Sequence, residues 1–377
     1  MIRAARLLAT AATVLLLAGC VPVGAGPSAG PSAIASASPH PSASPAEPRP
    51  PLADLDLVPD PKHYEGPSTA TLAQEAIIPI EEHPVQRLPT TVVSHDAGGD
   101  VEVTVTDTSR VVAIDLAGSV AATVWGLGFG DTLVGRDLST TFPGTEGLPV
   151  VTSGGHSVNA ESILALRPTL VVTDGTIGPR DVLEQLRDAG VPVVFVKNEP
   201  SFEGAQELVR QVAAVFGAPA AGDALADRIA RQVDDEIAQI AAIAPERAAD
   251  RLRMIFLYLR GNAGVYYLFG EESGADDLID ALGGIDVAGE IGWTGMRPMT
   301  DEALIAADPD LILVMTDGLA SVGGVDGLLE SKPAIALTAA GQHRRFVDMA
   351  DGDILSFGPR SAEVLDALAR AIYAPGG

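Results

Sequence analysis

The sequence predicts an α/β protein: two similar Rossmann-like lobes with parallel sheets, joined by a long rigid helix. Three observations lead there. From Leu88 onward, short runs rich in Val and Ile alternate with helical patterns, as in a parallel sheet covered by helices. Between residues 220 and 244, Leu225, Ile229, Val233, Ile237 and Ile240 recur at spacings of four, four, four and three, one apolar stripe on a long helix. Finally, a cadence occurs twice. Glu161 and Glu302 each open a short apolar helix, Pro168 and Pro309 follow seven positions later, and an apolar run then ends in Thr-Asp-Gly.

The elements follow in order. Residues 1–19 read as a secretory leader, with Arg3 and Arg6, an apolar run from Leu7 to Leu17, and small residues before Cys20. That run is shorter than the ~20 residues a membrane span needs. Residues 20–51 are mostly Pro, Ser, Ala and Gly, a tether too poor in large apolar groups to fold. Residues 52–87 keep frequent prolines and carry no clear periodicity, so no structure is assigned to them. The N-terminal lobe, 88–219, starts with two β-rich runs around Asp96-Ala97-Gly98-Gly99, a hairpin signal. After it come the strand RVVAIDL, the helix SVAATVWGLG, the strands TLVGRD and LPVVTSG, the helix AESILALR, the strand TLVVTD, the helix RDVLEQLRDAG and the strand PVVFVK. The C-terminal lobe, 245–377, repeats the texture with the strands RMIFLYLR and LILVMTD and the helices ADDLIDALGG, DEALIAAD and SAEVLDALARAIYA.

Composition narrows the function. The 47% hydrophobic content suffices for real cores, and the net charge of −26 excludes binding to nucleic-acid phosphates or to an anionic lipid surface by charge. Cys20 is the single cysteine, so no intramolecular disulfide can form.

Two places carry chemistry. His156, one of six histidines, follows Gly154-Gly155 after a strand, and Ser157 or Asn159 can cap the helix beyond it. It is therefore expected in a loop at the carboxyl end of a strand, where open α/β sheets bind ligands. In RMIFLYLRG, Tyr258 and Arg260 lie two apart on an extended strand and share a face. A guanidinium beside a phenol favours the phenolate, a hard anionic ligand for ferric iron. Read singly, either place is also an ordinary surface position. Taken together, one per lobe, they set an imidazole and a phenolate on opposite sides of a cleft, a geometry that grips a flat metallo-macrocycle from both faces.

The ending Leu17-Ala18-Gly19-Cys20 resembles the lipobox of bacterial lipoproteins, in which the leader is cut before the cysteine and the thiol carries a lipid. A lipid-anchored protein of two α/β lobes on a stalk resembles the substrate-binding lipoproteins of ABC importers, in the class with a helical backbone, over about residues 88–373. Gly154-Gly155-His156-Ser157, Tyr258-Leu259-Arg260-Gly261 and the FGPRSAE run at 357–363 are similar to those of the actinobacterial HmuT-like haem-binding lipoproteins. That resemblance implies that His156 and Tyr258 are axial ligands of a transported ferric haem b, with Arg260 hydrogen-bonded to the tyrosine oxygen. It also implies that Glu161 and Glu302 dock on arginines of the permease, where their plain role is to sit favourably in a first helical turn. The expected partners are haem, the ABC permease with its ATPase, the membrane through a lipid on Cys20, and upstream surface proteins that donate haem. The expected place is the extracytoplasmic face of the cell membrane. No catalysis is expected.

Two points stay outside the pattern. Ala121-Ala122 stand where such proteins commonly carry Thr-Glu, and Arg360 has no role that the residues suggest. Arg136, Arg180 and Arg297 are candidate partners for the haem propionates, unranked. The closest rival cargo is a ferric siderophore or a corrinoid. A zinc or manganese carrier wants three or four convergent His, Asp or Glu groups. A two-lobed chelatase lacks a nucleophile–base motif here, and an adhesive surface protein is the remaining alternative.

Overall fold

The computed structural model describes residues 49–153 and 157–376. The leader, most of the tether and Cys20 lie outside the described residues, as does His156.

A strand from the unassigned segment, β1 (Ser68–Ala70), comes first, and the predicted hairpin follows as β2 (Thr90–Asp96) and β3 (Gly99–Val105), with Asp96 opposite Gly99. The first lobe continues with β4 (Val111–Ile114), α1 (Ser119–Gly126), β5 (Leu133–Arg136), the short pair β6 (Thr152–Ser153) and β7 (Ser157–Val158), and α2 (Ala160–Ala165). It closes with β8 (Leu170–Thr173), α3 (Arg180–Asp188), β9 (Val193–Phe195) and α4 (Phe202–Val215). Its sheet runs β5-β4-β8-β9, parallel throughout, as predicted.

The connecting helix α5 (Pro219–Ile243) has 25 residues, roughly 37 Å at 1.5 Å per residue. Leu225, Ile229, Val233 and Ile240 of the predicted stripe are buried, and Ile237 packs partly against them.

The second lobe holds β10 (Arg253–Arg260), β11 (Val265–Phe269), α6 (Ala275–Ala281), β12 (Ile285–Asp286), α7 (Val287–Glu290), β13 (Met296–Pro298) and α8 (Asp301–Ala307). Beyond these lie β14 (Leu311–Met315), α9 (Thr316–Ser321), α10 (Gly324–Ser331), α11 (Pro333–Ala336), α12 (Ala339–His343), β15 (Phe346–Met349) and α13 (Ser361–Tyr373). Its sheet runs β1-β15-β14-β10-β11-β13, with β12 also on β10. The pairs from β1 to β10 are parallel, while β11 and β13 add an antiparallel margin that the sequence pattern did not announce.

Strand alternation divides the interior. Val111 and Ala113 of β4 and Met254 and Phe256 of β10 face one core shared with α4, α5 and α13. Their neighbours Val112 and Ile114 face a second core with α2 and α3, and Ile255 and Leu257 face a third with α8 and α10. One core therefore spans both lobes along α5, which makes the connection stiff.

The segment 52–87 is part of this body. Leu52 and Ile77 are buried, and β1 pairs in parallel with β15. Arg345, 1% exposed, donates to Gly66 O, Ser68 Oγ, Ala371 O and Ile372 O and stacks over Tyr64, so one guanidinium ties the segment to α13. Burial lowers it to about 10. Arg360 also gains a role. It is buried, pairs with Asp353 at 2.7 Å, donates to Glu75 O and lies over the Phe142 ring of the first lobe, fastening the lobes together.

Candidate functional site

Strand β10 is hydrophobic from Met254 to Leu257 because it lies in the middle of its sheet, buried on both faces. At its carboxyl end the burial relaxes, and Tyr258 and Arg260 are half-buried. They share a face, as predicted. The Arg260 guanidinium carbon lies 4.5 Å from the Tyr258 ring centroid, a cation held against an aromatic face. Its contact is with the ring rather than the hydroxyl. The guanidinium nitrogens donate elsewhere, Nη2 to Asp351 Oδ2 at 2.6 Å and Nη1 to Leu259 O at 2.8 Å.

Antiparallel β11 sets Tyr267 directly opposite Tyr258, and Phe269 stacks diagonally against Tyr258 with centroids 6.3 Å apart. Met296 and Pro298 of β13 stand opposite Phe269 and Tyr267 and are exposed. The result is an open aromatic shelf with one cation at its end. Tyr267 was legible only as half of a Tyr-Tyr pair, since its own strand β11 was not among the expected elements.

In the first lobe, Thr152 and Ser153 of β6 pair with Val158 and Ser157 of β7. The residues between these two strands, Gly154 to His156, are the internal ones outside the described set. The carboxyl edge of the first lobe's sheet is acidic. Asp115, Asp137 and Asp174 each stand one residue beyond β4, β5 and β8. Asp115 accepts from Ser119 N and Val120 N, which starts α1, and Asp137 accepts from Asp115 N and Thr140 N. Burial pushes both carboxyls up, and for Asp115 the neighbouring Asp174 and Asp137 add to it. The sequence signal was present in part: Asp115 and Asp174 close the apolar strands VVAI and LVVT, while Arg136 stands between the apolar residues of β5 and Asp137.

The remaining candidates fall as follows. Glu161 and Glu302 are exposed in the first turns of α2 and α8, whose N-termini are capped by Asn159 and Thr300. Arg136 is occupied locally by Asp137 O and Thr140 O. Arg180 is paired with Asp96 at 2.6 Å on the hairpin side. Arg297, in register with Leu268, stacks over Trp293 on the face away from Tyr258. None of the three is aimed at the Tyr258 shelf. Ala121 and Ala122 are buried in α1.

A family model described as periplasmic binding protein matches residues 112–351. The crystal structure of a haem-binding protein, HmuT, is similar with a TM-score of 0.78 and 39% identity, covering 84% of this chain and 99% of that one. Similar structures of HmuT carry alanine in place of a tyrosine, a histidine or an arginine, the tyrosine and arginine being two positions apart. An uncharacterised ABC transporter substrate-binding lipoprotein, YvrC of Bacillus subtilis, is 25% identical over 74% of this chain and 85% of its own length. A cobalamin-binding protein of Halobacterium salinarum is 26% identical over 70% of this chain and 69% of its own.

Proposed function

The chain belongs to the periplasmic binding protein family, and on that premise we propose that it captures haem outside the cytoplasm and delivers it to an ABC permease. Such proteins bind and release their cargo without converting it. The observation that carries the reading is the Arg260 cation 4.5 Å from the ring of a half-exposed Tyr258 at the carboxyl end of β10. In this reading Tyr258 supplies a phenolate to ferric iron, Arg260 stabilises that charge, and His156 supplies an imidazole from the first lobe. With both axial positions filled, iron offers dioxygen or peroxide no ready site, which suits a carrier. The aromatic shelf of Tyr267 and Phe269 gives the flat ring an apolar surface. The likeness to HmuT, whose studied variants change the same three residue types, supports this assignment.

Glu161 and Glu302 dock the two lobes on the permease, which passes the signal to its ATPase. A lipid on Cys20 holds the protein at the membrane, and the residues between it and Arg49 serve as the stalk, Arg49 itself being held by Asp366 and Thr71 O. Upstream, haem-donor surface proteins feed it.

Hemin titration of the soluble chain, residues 21–377, tests the reading. A saturable one-to-one rise of the Soret band is expected. The likeness to a cobalamin-binding protein makes a corrinoid the rival cargo. Tight binding of cobalamin or a ferric siderophore, without a hemin response, would transfer the function to that rival.

A further inference from the structure

Arg260 ends a strand, and a long side chain there can sweep through many rotamers unless something holds it. We infer that Asp351 is the positioning residue of this site: it keeps the Arg260 cation against the Tyr258 ring, and a contact between the lobes keeps Asp351 in place. The inference rests on the haem-capture reading for its consequence, although its geometry belongs to the ligand-free protein.

The ion pair is short, 2.6 Å from Arg260 Nη2 to Asp351 Oδ2, with both side chains largely shielded from water. A charge-assisted bond of this kind is among the stronger ones a protein makes. The second carboxylate oxygen is engaged too, accepting from Asp317 N at 2.9 Å at the start of α9. Asp351 is therefore fixed through both oxygens and cannot follow Arg260 if the arginine moves. The backbone beyond it is fixed as well. A Cβ on buried Gly352 would lie 2.6 Å from Thr141 Oγ1 and 2.7 Å from Ser139 O, both of the first lobe. Glycine alone allows that approach. Two residues past Asp351, Asp353 holds Arg360 over Phe142, again in the first lobe. A strap of ten residues, 351–360, thus links the seam between the lobes to the one cation at the aromatic shelf.

This explains why Arg260 touches the ring and not the hydroxyl: Asp351 pulls Nη2 the other way. It also gives Asp351 a testable job distinct from folding. Asp351→Ala should speed hemin release about tenfold and weaken the tyrosinate-to-iron absorption, in the direction of Arg260→Ala. Asp351→Asn keeps an acceptor for Nη2 and should recover most of the loss. In the Arg260→Ala background, Asp351→Ala should add less than about twofold, because its effect runs through the arginine. In hemin-free protein, the separate guanidinium Nη resonances of Arg260 in nitrogen-15 NMR should merge in Asp351→Ala as its rotation is released. A parent-like release rate and spectrum in Asp351→Ala would overturn the inference, as would full additivity with Arg260→Ala. If the parent protein takes up no hemin, the haem reading falls by itself, and the hemin-free NMR comparison still decides the role of Asp351.

Discussion

The two copies of the repeated segment run in step and then part. In both, an exposed glutamate sits in a capped first turn, and the helix ends at a left-handed residue just before proline, Arg167 with φ 49° and Asp308 with φ 39°. In both, a buried strand follows. The shared Thr-Asp-Gly then takes two shapes. In the first lobe Thr173 ends β8, Asp174 accepts from Thr176 and Asn198, and Gly175 turns at φ 83°. In the second, Thr316 opens α9 with its hydroxyl on Asp348, Asp317 N reaches Asp351, and Gly318 lies against Arg260. The same tripeptide makes a turn beside an acidic edge in one lobe and a wall of the cation site in the other. Local sequence sets the scaffold, and the partner across the sheet sets the use.

The largest expected effect tests the division of labour between the lobes. Tyr258→Phe keeps the ring and removes the oxygen, so the charge-transfer band should vanish and hemin affinity fall by more than the ~10–100-fold typical of a lost outer-shell partner. His156→Ala should leave a tyrosinate-bound iron that takes up added imidazole. Unchanged spectra in both variants would break the assignment, with Tyr267 the next residue to test.

What the two copies share is probed by charge reversal. Glu161→Lys and Glu302→Lys should leave hemin affinity within about twofold, since both acids are exposed and neither belongs to the Tyr258 shelf. Permease ATPase stimulation should drop in each and be lost in the double variant. Full stimulation by the double variant would return both residues to a capping role only.

Where the copies part, their glycines should behave differently. Gly175→Ala forces a side chain into the left-handed region, costing about 1 kcal/mol and a few degrees of melting temperature while sparing hemin binding. Gly318→Ala would place a Cβ 2.9 Å from Leu259 O and 3.0 Å from Arg260 Nη1, so hemin release should quicken, alongside some loss of melting temperature. The reverse pattern would erase the distinction drawn between them.

The smallest effect is a slope. Asp115, pushed up by burial and by Asp174 and Asp137, keeps a proton in the native state that the unfolded chain releases near pH ~4. Stability from this group is full below that pH and is lost as pH rises toward the native value. Asp115→Asn should therefore flatten the fall in stability above pH ~4, read from denaturant midpoints across a pH series. Parallel curves for parent and variant would show that the acidic edge carries no such linkage.

Much of this architecture is readable in short windows. The hairpin, the strands of the first sheet, the 25-residue α5 and the shared face of Tyr258 and Arg260 follow from periods of 2 and 3.6, which need no knowledge of distant chain. Helix α4 was equally legible, with Ser201 as its cap and Ala205, Leu208, Val209 and Val212 as its stripe, although it did not figure among the expected elements. What tertiary structure alone decided is what lies far apart in sequence. Ser68 pairs with Val347 and Arg345 binds the chain around it, while Ile80 and Arg87 donate to Gly126 O and Gly217 O, so residues 52–87 join both lobes without any pattern of their own. Asp351 meets Arg260 across 91 positions, Tyr267 comes to Tyr258 by an antiparallel return, and Arg297 turns to the opposite face. Periodicity reports which way a side chain points along its own element. Which partner waits there depends on how the sheets order and the lobes meet, and a local pattern carries no record of that.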